Sequence, residues 1–399
     1  MPIPLNMSME ARDMRMTARL SIFVFSALVL ISCGDNPMRR ANETTVPHSK
    51  QEVVLAPQQD GGEDKPSAKV LKRYAEFFPN EVKHSIRLNE IFDGGPGKDG
   101  KLALTNPPSI SVGAADYLDD TDVVLGISIN GQSRAYPLRI MVIHEIVNDT
   151  LDGRPVLVTF CSECGTGIAF DPVVDGQAIE FGVSGMLYKR DLLMYDRNTE
   201  TPSLWVQALG EAVVGPKTGK LLNLLPVTQA QWGEWKATHP DTTVLSKATG
   251  FNFHYNPYPD ILDFLPAQIL GVCLNAVKKA YRFGDLRQMQ VINDDVGGVP
   301  IVLIASRDSD SVRVYERKTY QFEGTIEKVV DIGSRDVWEI SEKMLANPKT
   351  GDSLNRIPDV FVSFVRAWLS FFPNTLVYKR PLDTDSDASL PTTWGAIKR

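Results

Sequence analysis

The sequence predicts a strand-rich α+β fold arranged as two pseudosymmetric lobes. Three features predict it: an internal repeat, hairpin turn signals along the first copy, and few stretches with helical pattern. The repeat appears when VLGISINGQSRAYPLRIMVIHEIVNDTLDGRPVLV, residues 124–158, is set against ILGVCLNAVKKAYRFGDLRQMQVINDDVGGVPIVL, residues 269–303. The offset is 145 with no gap, and 9 of 35 positions are identical. Two more matches follow in the same order. PKTGKLLNLLP from Pro216 pairs with PKTGDSLNRIP from Pro348, and WKATHPDTTV from Trp235 pairs with WLSFFPNTLV from Trp368. Collinear matches of this kind indicate a duplicated unit, and a repeat sets the architecture before any local assignment. Each copy is long enough to hold its own core.

Taken in order, the chain opens with Arg12, Arg15 and Arg19, followed by the apolar run LSIFVFSALVLI, residues 20–31. That run is short for a membrane span and suits the apolar region of a signal peptide. It ends in LISC, so Cys33 stands where a bacterial lipoprotein signal places its acylated cysteine. The expected organisation is a signal peptide over 1–32, a tether over 33–68 and an N-terminal segment of the body over 69–123. The first repeat lobe covers 124–250, the second 265–382, and a flexible tail 383–399. The tether is polar and rich in Pro, Gly and charge, too poor in apolar residues to order itself. With 42 Lys+Arg against 49 Asp+Glu, the chain has no basic excess of the kind nucleic-acid binding requires. The membrane, reached through the N-terminal lipid, is the expected partner; a protein partner is left open. The expected location is extracytoplasmic, at the periplasm or the outer-membrane face.

Within the first copy, Asn130-Gly131, Asp152-Gly153 and Asp175-Gly176 each separate strand-like runs and read as tight hairpin turns. Helical pattern is expected over residues 138–147, after Pro137, and over 228–239, with Thr228 as cap. GGPGKDG, residues 94–100, lacks the spacing and following helix of a phosphate loop and reads as a turn.

The chemistry is concentrated in FCSECGTGIAF, residues 160–170, which holds two of the four cysteines. The repeat acts as an internal control. Asn148 and Asp149 recur as Asn293 and Asp294, whereas His144 and Glu145 become Met289 and Gln290. Cys161 and Cys164 become Ser306 and Ser309. Framework residues persist in both copies and reactive types occur in one. This asymmetry points to a single site in the first lobe. A thioredoxin-type pair needs a helix to open after the cysteines, where its N-terminus lowers the thiol pKa. Here GTGIAF follows instead, which reads as a turn and a strand. Cys-x-x-Cys-Gly suits a metal knuckle, two thiolates gripping one ion from a tight turn. His144 is the expected third ligand, on a helical stripe with Ile140, Ile143 and Val147. Glu145 is a candidate fourth ligand, ligand-orienting partner or general base, and so the candidate catalytic residue. Met194 is a further candidate ligand. Outside the cytoplasm such a set suits copper first and zinc second.

AYPLRIMVIHEIVNDTLDGRPVLVTFCSECGTGIAFD, FGVSGMLYKRDLLMYDRNT and SLWVQALGEAVVG together resemble a bacterial and archaeal family known only as a domain of unknown function, number three-one-seven-nine in that series. The carrying motifs are the His144-Glu145 pair, the Cys161/Cys164 pair, Ser184-Gly185, Met194-Tyr195-Asp196-Arg197, and Leu204-Trp205 with Gln207. The resemblance implies a secreted or lipid-anchored protein and no particular reaction. Three functions are therefore expected in order. The first is a lipid-anchored metal-binding protein, either carrier or metal-dependent enzyme. The second is a thiol–disulfide redox protein using Cys161 and Cys164. The third is a binding or scaffold lipoprotein with a structural disulfide.

Overall fold

The computed structural model describes residues 67–78, 80–257 and 267–380. The signal peptide, Cys33, nearly all of the tether and the C-terminal tail lie outside them. Strands dominate. Each α-helix among the described residues is seven residues long. None of these helices is long and apolar enough to cross a membrane.

The hairpin signals hold because each turn needs two consecutive residues at positive φ, where Asn, Asp and Gly are tolerated. Asn130 and Gly131 lie at φ 50° and 88° between strands Val123–Ile129 and Gln132–Pro137. Asp152 and Gly153, at 50° and 72°, join Ile146–Leu151 to Arg154–Cys161. Both helices differ from expectation. The first covers Leu138–His144 only, because Glu145 turns to φ 60° and Ile146 starts a strand. The second covers Trp232–Thr238, and Thr228 belongs to the strand before it, Thr228–Gln231.

Among the described residues the first half forms three five-stranded sheets and a two-stranded ribbon, Val173–Val174 with Gln177–Ala178, and the second forms sheets of four, three and five strands. Segments before residue 124 complete the first half: Ile91–Asp93 pairs with Phe181–Tyr188, and Leu104–Thr105 runs parallel to Ile146–Leu151.

The halves repeat their contacts as well as their order. Tyr136 donates to Asp149 at 2.8 Å, and Tyr281 to Asp294 at 2.7 Å. The Asn148 amide pairs with both backbone groups of Phe181, and Asn293 does the same with Phe322. Trp235 packs over Gly126 and Trp368 over Gly271. A Cβ on either glycine would come within 2.3 Å or 2.0 Å of the indole, so a larger residue there forces a backbone shift.

The halves also interlock. The β-strand Val360–Phe364 and helix Val365–Phe371 of the second half pack into the apolar cluster that holds Cys161 and Cys164. In return Thr228 of the first half donates to Glu342 of the second at 2.7 Å.

Candidate metal centre

Cys161 ends strand Arg154–Cys161 and pairs across the sheet with Thr166, the first residue of the next strand. The four-residue link is a tight turn. The N–H of Cys164 donates to the carbonyl of Cys161 at 3.2 Å, and Gly165 sits at φ 61°. A Cβ there would strike the Phe364 ring at 2.6 Å. Gly165 is thus required by both the turn and the close approach of the second half.

A second element reaches this turn. Strands Phe181–Tyr188 and Asp191–Asp196 form a hairpin whose tip is Lys189-Arg190, both at positive φ. The tip directs the Arg190 carbonyl at the sulfurs, 3.3 Å from Cys164 Sγ and 3.8 Å from Cys161 Sγ. Asp191 follows. One ligand atom from each of Cys161, Cys164 and Asp191 lies within 4.8 Å of the other two. The residues are 2%, 1% and 0% exposed. Asp191 Oδ2 accepts from the N–H of Ala208 at 2.8 Å, while Oδ1 has no hydrogen-bond partner.

The electrostatics are unusual. Burial pushes the Asp191 carboxyl up to about 7, against the Ala208 N–H that favours its anion. Burial also raises the Cys161 thiol, and the nearby Asp191 charge raises it further. Cys164 is raised by its contact with Cys161 and by burial. Among the described residues no lysine, arginine or histidine side chain hydrogen-bonds or ion-pairs with any of the three. Three acids thus converge in an apolar pocket without a counter-charge, which is expensive for their anions.

A family model described as "Protein of unknown function (DUF3179)" matches residues 98–263 and again 265–375. The chain belongs to the DUF3179 family. The two matched segments correspond to the two halves that repeat the same contacts. No match was found among curated proteins or among solved structures.

The remaining candidates of this DUF3179 chain stand elsewhere. His144 is buried, as its stripe requires, but it does not join the cysteines. Its Nδ1 donates to the Leu102 carbonyl at 2.6 Å, and its Nε2 accepts from the Tyr255 hydroxyl at 2.8 Å. Phe251, Phe253 and Tyr255 surround the ring at 5.6–5.7 Å between centroids. Both nitrogens are occupied, and burial lowers the pKa, so the ring is neutral. The reversal of the chain at Glu145 explains the difference: the helix stops at His144, and the imidazole is delivered to Leu102.

Glu145 pairs with Lys101. Burial raises its carboxyl, while Lys101 works to lower it. Its left-handed backbone recurs at Gln290, φ 57°, so that conformation belongs to the fold. Met194 is fully buried in strand Asp191–Asp196, three residues from Asp191, and strand alternation puts it on the opposite face. Cys273 is half-buried in a strand, as a small apolar residue would be. Cys161 and Cys164 are free thiols here, not a disulfide.

Asp191 is not among the residues the sequence motifs single out as ligands. One signal could have found it. Between framework residues Phe181/Asp196 and Phe322/Asp331, the first-half hairpin has strands of 8 and 6 residues and the second-half hairpin strands of 4 and 4. The extra length is what carries an acid to the cysteine turn.

Proposed function

We propose that this protein holds a zinc ion between Cys161, Cys164 and Asp191, as a lipid-anchored protein outside the cytoplasm. The observation that carries the reading is the convergence of three buried acids with no cation beside them. A bound dication supplies the missing charge, and the thiols and the carboxyl release their protons to solvent as it binds. The donor set favours zinc over copper. Two thiolates with a carboxylate suit a borderline ion, whereas copper(I) prefers thiolate and thioether. Met194 and His144, which would have favoured copper, are directed elsewhere.

The signal-like N-terminus ending at Cys33 supports anchoring by lipid. Outside the cytoplasm two adjacent free thiols oxidise readily, and an ion held by both keeps them reduced. Thiol–disulfide catalysis is less well supported. The nucleophile is the thiolate, and reactive cysteines sit in electropositive, partly exposed places; these two are buried and raised.

Anaerobic purification followed by elemental analysis and thiol titration tests the reading. Zinc near one equivalent, with the Cys161 and Cys164 thiols masked until a chelator is added, is expected. Reactive thiols without metal would select the redox reading. Equal metal content in wild type and in a Cys161→Ser, Cys164→Ser double variant would end the proposal. The anchor is tested separately: wild-type protein should enter the detergent phase of an extraction, and Cys33→Ala should not.

A further inference from the structure

Gln207, grouped by the sequence motifs with Leu204 and Trp205, follows strand Leu204–Val206 and is 0% exposed. Its backbone N–H donates to the carbonyl of Leu192, next to Asp191, at 3.1 Å. The following residue, Ala208, donates to Asp191 itself. The Gln207 side-chain nitrogen donates to Thr159 Oγ1 at 3.0 Å and to the Thr166 carbonyl at 3.1 Å. Thr166 is the cross-strand partner of Cys161, and Thr159 precedes Cys161 by two on the same strand face. Gln207 is thus pinned on one side to the Asp191 strand and on the other to the Cys161 strand.

Its amide can face only one way. The Thr159 hydroxyl spends its proton on the Ile168 carbonyl at 3.0 Å, so toward Gln207 it accepts. The Thr166 carbonyl also accepts. Both neighbours demand the NH2 end, and a flipped amide would set oxygen against oxygen. The oxygen Oε1 is left buried with no hydrogen-bond partner, as is Asp191 Oδ1. Two orphaned acceptor oxygens thus belong to side chains on segments that bond to each other, and hydrogen bonds tie Gln207 to both the Asp191 strand and the strands that meet at the thiols. Buried acceptors rarely stay unsatisfied in the absence of an unseen ligand or ion.

We infer that Gln207 Oε1 is the fourth donor of the metal centre proposed above, completing a tetrahedral set with Cys161, Cys164 and Asp191. The inference rests on that reading and deepens it, since it turns a three-ligand site with an open position into a closed one. A neutral donor suits the place. Two thiolates and a carboxylate already outweigh a dication, and a fourth anion would add uncompensated charge in an apolar pocket. A closed set is the pattern of sites that hold an ion for structure; an open fourth position is the pattern of catalytic ones.

Cobalt(II) titration of the metal-free protein, read by its visible spectrum, together with zinc competition against a chromophoric chelator, tests this. Wild type should show thiolate-to-cobalt charge transfer and intense four-coordinate d–d bands. Gln207→Leu should keep the charge transfer, shift the d–d bands and weaken zinc by about ten-fold or more. Gln207→Glu, closer in shape, should keep four-coordinate bands but make zinc affinity more steeply pH-dependent, because its carboxyl must release a proton to serve as donor. Circular dichroism of the metal-free variants reports whether each folds. Should Gln207→Leu fail to fold, Gln207→Glu still decides: bands and affinity identical to wild type across pH would mean the side chain does not reach the ion. The same result in Gln207→Leu also overturns the inference. Absence of thiolate charge transfer in wild type is a different failure, since it removes the cysteine–aspartate centre itself.

Discussion

The turn at Cys161–Cys164 and its counterpart at Ser306–Ser309 share a backbone tie and differ in how their charge is settled. In both, the strand before the turn is tied to the residue after the helix: Phe160 N–H to Glu145 at 2.8 Å, Ala305 N–H to Gln290 at 2.7 Å. In both, a helix of the other half packs nearby. Over the cysteines lies Val365–Phe371, whose Val365, Ala367, Trp368 and Phe371 are buried. At the serines, Trp232–Thr238 brings Glu234, which accepts from Ser309 and lies 3.9 Å from Arg313. Arg313 and Arg356 enclose Glu342 behind it. Burial works to raise the Glu342 carboxyl, yet the two guanidinium groups overcome it and hold it at about 2. Buried charge at the serine turn is therefore met by protein side chains, with Arg313 and Arg356 set against Glu342 of the same half and Glu234 of the other. The cysteine turn leaves three acids facing one another. One arrangement is thus satisfied by protein side chains in one copy and leaves three buried acids without a cation in the other, which is the difference the proposed zinc site rests on.

The largest expected effect tests whether the cysteine turn alone makes the difference. Cys161→Ser with Cys164→Ser should remove all bound zinc. Ser306→Cys with Ser309→Cys should gain none, because the shorter hairpin Phe322–Thr325/Lys328–Asp331 brings no further acid to that turn and the one that reaches it, Glu234, already faces Arg313. Metal at the transplanted pair, measured by elemental analysis in a background lacking Cys161 and Cys164, would break the comparison.

Glu342→Gln probes the self-satisfied side. It leaves two buried guanidinium groups without their carboxylate, at a cost of about 3–5 kcal/mol. Urea unfolding should show that loss, with zinc content unchanged. A loss below about 1 kcal/mol would mean that the network is not what settles the second half.

Asp191→Asn probes the other side and should have two opposite effects. Zinc affinity should fall by about ten-fold or more. Metal-free stability at neutral pH should rise. An unfolded Asp ionises near its ordinary 3.8, whereas the folded carboxyl holds its proton to about 7. Between those values the native state binds the extra proton, so metal-free wild type loses stability as pH rises, by at most on the order of 4 kcal/mol. Asparagine does not titrate and removes that slope. Parallel pH profiles for wild type and variant, by chemical denaturation without metal, would show that Asp191 is not held protonated.

His144→Ala should change zinc content least of all. The ring bonds to Leu102 and Tyr255, so the loss falls on local stability, about 1–3 kcal/mol for the polar groups left behind. Depletion of zinc in this variant would return His144 to the ligand set.

Local chemistry is legible in short stretches of the sequence. Asn130-Gly131 and Asp152-Gly153 announce hairpins because few other residue pairs accept their backbone angles. The Cys161/Cys164 turn is legible for the same reason, since both thiols and the permissive Gly165 lie within five residues. His144 misleads because the helical stripe shows that the ring is buried but not what it is buried against. One left-handed residue, Glu145, ends the helix, and the ring meets Leu102.

The sequence by itself determined the strand-rich class, the repeated order of elements and the thiol half of the candidate centre. All three follow from periodicity, turn chemistry and spacing within short windows. The tertiary structure alone decided the rest. Asp191 stands 27 positions beyond Cys164, and only the pairing of Phe181–Tyr188 with Asp191–Asp196 carries it to the sulfurs. The cover over the turn comes from Phe364 and the helix after it, in the other half of the chain. A ligand set is a convergence of atoms, and convergence across sheets depends on hairpin length and on packing between halves, neither of which is written in any one segment.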